Sequence, residues 1–464
     1  MATFVEERWA AIVPVLEDYI RIPAKSPAFD PDWEANGHLE RAVGLVSDWL
    51  AGQGVDGLDL SVHRLPGLTP VIVADVPATD PSIGGTVLLY GHLDKQPEMT
   101  GWLDGFGPWE PRLEGDRLYG RGAGDDGYAA FAALTAIQAV RARGGAHARC
   151  VVLIEASEES GSPDLPAHVD ALADTLGDID LVVCLDSSCS DYERLWVSTS
   201  LRGLVGMDVR VEVLTEGVHS GASGLVPSSF RVLRALLSRI EDETTGEILL
   251  PELHVDVPAE RVAQACVVAD ALGDAIAGEY PYHGDTRPQV DDHAEQVLAR
   301  TWRPALSVTG LAGAPEPKDA GNVLRPFTTA KLSMRLPPGV DPDVAFDVMS
   351  RALTTDVPSG ATVTISGRDT GAGWDAPATA PWLADALDAA SRDHFGQPMG
   401  ATGIGGSIPF MAMLGDRFPA AQFVVTGVLG PGSNAHGPNE FLHLPTARRV
   451  TACVADVLEA HARR

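Results

Sequence analysis

Residues 150–165 read CVVLIEASEESGSPDL. The first seven form an apolar run rich in β-branched residues, the pattern of a buried strand, and a Gly/Ser/Pro turn closes the stretch. Between them stand two adjacent acids, Glu158 and Glu159. On an extended backbone neighbouring side chains point in opposite directions. Two carboxylates so placed repel each other unless a cation or a shared proton separates their roles. An isolated Glu-Glu pair is ordinarily a solvated turn, so the other ligands of a cation must come from elsewhere in the chain.

The flanking sequence supplies the setting. TPVIVADV (69–76) and GTVLLYGHLD (85–94) read as strands, YAAFAALTAIQAVRARGG (128–145) as a helix ending at Gly144, and DLVVCLDSS (180–188) as a further strand. Near-continuous apolar strands separated by helices imply a sheet covered on both faces, hence an α/β domain. After residue 203 the style changes. GMDVRVEVLT (206–215) alternates with period two, 228–243 is an amphipathic helix, 305–311 is a strand, 329–337 alternates, 341–353 is helical and 361–368 is a strand. This β-α-β-β-α-β order is the split βαβ, ferredoxin-like arrangement, with an insertion at about 244–303. From about 369 the α/β style returns, with a helix at 380–395, a strand at 421–430 and a closing helix at 446–464. The expected architecture is a catalytic α/β domain, 1–203 and 369–464, interrupted by an α+β domain, 204–368.

At 464 residues the chain is too long for one ordinary core. Its formal charge of −30, from 34 basic and 64 acidic residues, opposes binding to nucleic acid or anionic membranes. Five cysteines form no CxxC pair, which argues for a reducing compartment. Val5, Trp9, Ile12, Val13, Leu16 and Ile20 fall at helical spacing near the N-terminus, an amphipathic helix and not a signal peptide. No apolar stretch approaches the roughly 20 residues that span a bilayer. A cytoplasmic location is expected.

Candidate ligands stand where the strands end. In open α/β sheets, groups converge beyond the carboxyl ends of the strands. The 85–94 strand ends in His92 and Asp94, the opening strand in Glu158 and Glu159, and the 180–188 strand in Asp186. The segment after 421–430 leads to His436, and the Gly-rich turn GRGAGDDGY offers Asp125 and Asp126. Two histidines and three carboxylates suffice for two zinc-like ions sharing a bridging carboxylate and a water. Asp94 suits a role in fixing the tautomer of His92. One glutamate of the opening pair then binds metal while its neighbour deprotonates the water.

With these residues in view, the chain resembles metallopeptidase family twenty: carnosinases, cytosolic non-specific dipeptidases, bacterial glutamate carboxypeptidase and aminoacylases. The resemblance rests on YGHLDKQPE (90–98), LYGRGAGDDG (118–127), EASEESGS (155–162), LDSS (185–188), GVHSG (217–221), GGSIP (405–409) and NAHGPNE (434–440). It implies a zinc-peptidase-type mixed sheet with a ferredoxin-like lid and dimerisation domain. It implies two divalent ions, Zn2+ or else Mn2+ or Co2+, held by His92, Asp125, Glu159, Asp186 and His436, with Asp125 bridging. Glu158 would be the general base, Asp94 the partner of His92, and a cis peptide would join Asp125 to Asp126. His219 would reach across a homodimer interface to polarise the scissile carbonyl. Asn322, Arg335 and Ser407 would hold the substrate carboxylate, Arg being suited to pair two oxygens.

Two departures bear on substrate. Relatives usually read DDKG where this chain has DDGY (125–128), and carnosinase-type relatives read REGGSIP where Gly403 and Ile404 precede GGSIP. The glutamate that senses a free amino group is thereby replaced by an apolar side chain. The reading is a di-zinc hydrolase of dipeptides or small peptide-like amides bearing a free carboxylate. The alternative is an aminoacylase or deacylase acting on N-acyl amino acids. A metal-free ligand-binding relative ranks last, because all five ligand positions and Glu158 are intact.

Overall fold

The run that opens at Cys150 is the strand Arg149–Glu155, and every residue after Arg149 is buried. It is apolar on both sides because it lies inside a sheet. It pairs antiparallel with Val71–Val76 and parallel with Thr86–His92. The computed structural model describes residues 2–464. From edge to edge the six-stranded sheet runs Asp59–His63, Val71–Val76, Arg149–Glu155, Thr86–His92, Leu181–Cys184 and Gln422–Val425. The last three interfaces are parallel, so the strands that carry His92, the glutamate pair and Asp186 all end on one side.

The chain divides into two compact units. The first comprises Met1–Thr199, Ala376–Ala401 and Met413–Arg464, and the second Ser200–Asp375 and Thr402–Ala412. In the first unit, helix Ala129–Ala142 is buried along almost its whole length and packs with Leu444–Ala462. Its alanines permit close approach to the sheet: a side chain on Gly91 would strike the Ala129 methyl and come within 2.6 Å of Asp126 Oδ2. The N-terminal helix, Ala2–Ile20, buries Val5, Trp9, Ile12 and Leu16 as its spacing requires. Its C-terminal end is met by Lys95, fully buried, whose Nζ donates at 2.8 Å to Tyr19 O in the last turn and to Ile22 O just beyond it. Gly122 makes room for that lysine, since a Cβ there would lie 2.7 Å from Lys95 Cε.

The strand expected at 421–430 stops at Val425. Gly427 passes so close to the Ser187 backbone that no side chain fits, and a regular strand cannot continue through that crossing. All five cysteines are free, and four are buried. Among the described residues no helix is long and apolar enough to cross a membrane.

In the second unit, a four-stranded antiparallel sheet runs Ala305–Ala312, Phe327–Leu336, Gly203–Glu212, Thr362–Gly371. With helices Ser229–Leu237 and Pro342–Thr354 this is the split βαβ order read from the sequence. The alternation places Val205, Met207, Val209 and Val211 in one core with Ala330, Leu332 and Met334. The first of these helices is shorter than its periodicity suggests. Ser238 turns back onto the Arg234 carbonyl, and Asp242 then opens a turn by accepting from the amides of Thr244 and Thr245. The insertion forms helices Ala259–Leu272 and His293–Thr301. The segment Thr402–Ala412 joins this unit, where Arg202 Nε donates to the Gly405 carbonyl at 3.1 Å.

Candidate metal centre

Strand register brings the first ligands together. His92 is the last residue of its strand, opposite Glu155, and Asp186 lies two residues beyond Cys184. The Gly-rich turn before Ala129 supplies Asp125 and Asp126, joined by a cis peptide. The loop after the Gln422–Val425 strand delivers His436. Asp125 stands between two imidazoles: its Oδ1 is 3.3 Å from His92 Nε2 and its Oδ2 is 3.0 Å from His436 Nε2. Asp186 Oδ2 lies 3.8 Å from His92 Nε2, and Glu159 Oε2 lies 3.3 Å from His436 Nε2. Donor atoms of His92, Asp125 and Glu159 fall within 4.8 Å of one another, as do those of His92, Asp126 and Asp186.

The opening pair diverges for a reason other than an extended strand. Glu158–Ser160 is one turn of 3₁₀ helix, in which successive side chains are about 120° apart. The turn is fixed from below by Asp94, whose Oδ1 accepts the Glu158 amide at 3.1 Å and whose Oδ2 accepts the Glu159 amide at 3.0 Å. The Asp94 main-chain oxygen accepts the hydrogen bond of His92 Nδ1 at 3.1 Å, while the carboxylate lies 3.5 Å from that nitrogen. Asp94 thus reaches His92 through its backbone and the glutamate turn through its side chain.

The electrostatics show a site short of positive charge. Burial pushes Glu158 and Glu159 well above the usual carboxylate range, reinforced by Asp186 and Asp125 respectively. Burial likewise raises Asp126, whose Oδ1 has no partner among the described residues, and raises Asp186 to about 6. Burial disfavours charge on His92 too, yet Asp186, Asp125 and Asp94 outweigh it and raise its pKa well above normal. For Asp125, burial is overridden by His436 and His92, which hold it below the usual range. Imidazole nitrogens and carboxylate oxygens, converging with surplus negative charge, are a donor set that suits a divalent cation.

Several residues here were not singled out in the sequence. Gln96 Nε2 donates to Glu159 Oε2 at 2.6 Å. Glu155, fully buried, accepts from the Tyr90 hydroxyl at 2.5 Å and from Ser162 Oγ at 2.9 Å. Arg121 and Glu440 form an ion pair at 2.5 Å with both side chains buried. Burial pushes Glu440 up to about 7 although Arg121 pulls the other way. Their signal was present in part: all four lie inside quoted motifs, Arg121 between two glycines and Glu155 between Ile154 and Ala156.

The residues expected to contact substrate lie in the second unit. His219 is exposed on a two-residue strand paired with Val323–Leu324, and its Nδ1 accepts the Gly221 amide at 3.0 Å. The same ribbon brings Asn322 beside it, the Asn322 carbonyl accepting from Ser220 at 2.9 Å. Arg335 is on the sheet, opposite Ala305 and Leu204. Burial lowers its pKa, and the Asp369 charge offsets this only in part. Ser407 is half-buried in the Thr402–Ala412 segment.

The sequence profile of peptidase family M20/M25/M40 matches residues 88–460, which include all of these positions. The cysteinylglycine-S-conjugate dipeptidase of Corynebacterium striatum is 28% identical over 416 residues, 87% of this chain and 86% of that protein. The beta-Ala-His dipeptidase of Rattus norvegicus is 28% identical over 345 residues, 72% of this chain and 68% of that protein. The crystal structure of human carnosine dipeptidase 1 superposes with a TM-score of 0.77 at 23% identity, covering 100% of this chain and 98% of that one. With the mixed sheet, the antiparallel inserted unit and the His/Asp/Glu cluster in place, the chain belongs to peptidase family M20/M25/M40 and is a metallopeptidase of that family.

Proposed function

We propose that this protein hydrolyses the amide bond of dipeptides or small peptide-like substrates that carry a free carboxylate, using two divalent ions. The observation that carries this reading is Asp125, which presents one oxygen to each of two imidazoles. His92 and Asp186 would complete one ion's ligands, Glu159 and His436 the other's. Zinc suits these donors, and manganese or cobalt is accommodated by the same chemistry. When bound, such ions act as Lewis acids that acidify a water and polarise the scissile carbonyl.

Glu158 takes the proton of the attacking water and delivers it to the leaving amine. Its place in the same turn as Glu159, with its amide held by Asp94, supports this role. Asp94 keeps Glu158 and Glu159 apart by holding both amides. Arg335 and Asn322 grip the substrate carboxylate, Ser407 adds a hydrogen bond, and His219 polarises the carbonyl of the partner subunit's substrate in a homodimer. A cytoplasmic setting accords with the free thiols. The two dipeptidases to which the chain is similar support a dipeptide substrate.

A second reading, hydrolysis of N-acyl amino acids, is favoured by Ile404. A substrate ammonium set against isoleucine loses water without gaining a partner. Nor does Gly403 leave room for a long side chain, since a Cβ there would meet Ser200 Oγ and lie 2.8 Å from Thr301 Cβ. The test is a matched set of four substrates: free, N-acetylated, C-amidated and doubly blocked. Blocking the amine should change kcat/KM by less than about tenfold, or ~1.4 kcal/mol, and amidating the carboxylate should cost far more. A strict demand for the free amine would return the assignment to dipeptides alone. Mixing His219→Ala chains with Glu158→Gln chains should restore activity to two inactive proteins. Hybrids of verified composition that stay inactive would remove the role of His219 across subunits.

A further inference from the structure

His436 has less holding its side chain in place than His92. That side chain is 56% exposed, against 0% for His92. Its backbone sits at φ 64°, and Asn434 and Asn439 in the same loop are also left-handed, at 54° and 63°. Residues other than glycine rarely adopt that region, so a loop with three of them needs an outside constraint.

Arg121 supplies one. Its Nη2 donates to the carbonyls of His436 at 3.1 Å and Gly437 at 2.8 Å. Its Nη1 donates to Glu440 Oε2 at 2.5 Å, and its Nε to the Pro97 carbonyl at 3.2 Å. Glu440 Oε1 in turn accepts the Gly122 amide at 2.9 Å. One planar guanidinium therefore ties together the segments that follow His92, precede Asp125 and carry His436. A lysine ammonium could not span these acceptors, because its three donors leave a single point. The ion pair is fully buried, so neither charge has water as an alternative partner.

We propose that Arg121, paired with Glu440, is a positioning residue for the His436 half of the metal centre. It sets the height and direction of that imidazole through its main chain. The inference rests on the two-ion reading above. Residues that orient metal ligands typically contribute ~10–100-fold to affinity. The effect here should fall on one ion of the two.

The experiment titrates metal-free protein with Co2+, following visible absorption and competition with a chelator. Wild type, Arg121→Lys, Arg121→Met, Glu440→Gln and the control His436→Ala are compared. Wild type should take up two ions. Both Arg121 variants and Glu440→Gln should bind one ion within about threefold of wild type and the other at least about tenfold more weakly, with altered bands. His436→Ala should lose that same ion. Equal weakening of both ions, or none in Arg121→Lys, would overturn the assignment by making the pair merely structural. A wild-type stoichiometry below two would overturn the two-ion reading and this inference with it. If Arg121→Met does not fold, the lysine and Glu440→Gln variants decide the question.

Discussion

His92 and His436 approach the same carboxylate from opposite sides, and the protein secures them by different means. His92 ends a strand flanked by two parallel neighbours, with its imidazole buried and its Nδ1 bonded to the Asp94 carbonyl. Sheet hydrogen bonds and core packing set its position before any ion arrives. His436 stands on a left-handed loop with an exposed ring, held by backbone contacts to Arg121. One half of the centre is thus part of the core and the other is attached to it by a buried ion pair. Local stability follows buried contacts and protected hydrogen bonds, so the two halves should differ in rigidity as well as in construction.

The largest expected effect is that of metal removal. Chelation should abolish turnover, and added zinc should restore it. Hydrogen exchange should then show residues 433–440 losing protection while residues 86–92 retain theirs. Equal loss in both segments would erase the contrast between the halves.

Next in size is Glu158→Gln, which keeps shape and removes the base. Turnover should fall by about 10²–10⁴ with metal content unchanged, whereas Glu159→Gln should lose metal. Near-normal turnover in Glu158→Gln would show that the two glutamates had been assigned to the wrong tasks.

Smaller is the stability cost of Glu440→Gln. Removing one partner of a buried pair leaves the other charge uncompensated, at a cost of about 3 kcal/mol. Denaturant unfolding would measure it, and a change under about 1 kcal/mol would mean that water reaches Arg121 on unfolding of the loop alone.

The smallest effect belongs to the His92 side, where Glu155 ends the neighbouring strand opposite His92. Burial, with Asp94, pushes Glu155 up to about 7. A raised folded-state pKa stabilises the protein below the ordinary carboxylate range, and that contribution is lost as pH rises through about 7. Glu155→Gln removes this dependence. With chelator present, the variant should gain on wild type between about pH 5 and pH 8, by no more than about 3 kcal/mol at 1.36 kcal/mol per unit. A difference that is flat with pH would show the carboxyl titrating normally.

Much of this organisation was legible from residue patterns. Alternation placed Val205, Met207, Val209 and Val211 on one face because side chains in strands repeat every two residues. The apolar run at Cys150 announced an interior strand for the same kind of reason: a strand covered on both faces cannot alternate. His92, Asp125, Glu159, Asp186 and His436 each have an ordinary structural reading when taken singly, and it was their joint occurrence inside the quoted motifs that made them a candidate ligand set.

What sequence alone determined, then, was the set of groups available and the elements that carry them, since local periodicity and residue chemistry are properties of neighbouring positions. Tertiary structure alone decided which oxygen of Asp125 meets which imidazole, that Asp94 spends its carboxylate on two amides, and that Arg121 reaches across 319 positions to Glu440. Those contacts depend on how the strand ends, the glycine turn and the last loop meet in space. A hydrogen bond needs its donor and acceptor within about 3 Å, and no spacing along the chain encodes a distance between segments so far apart.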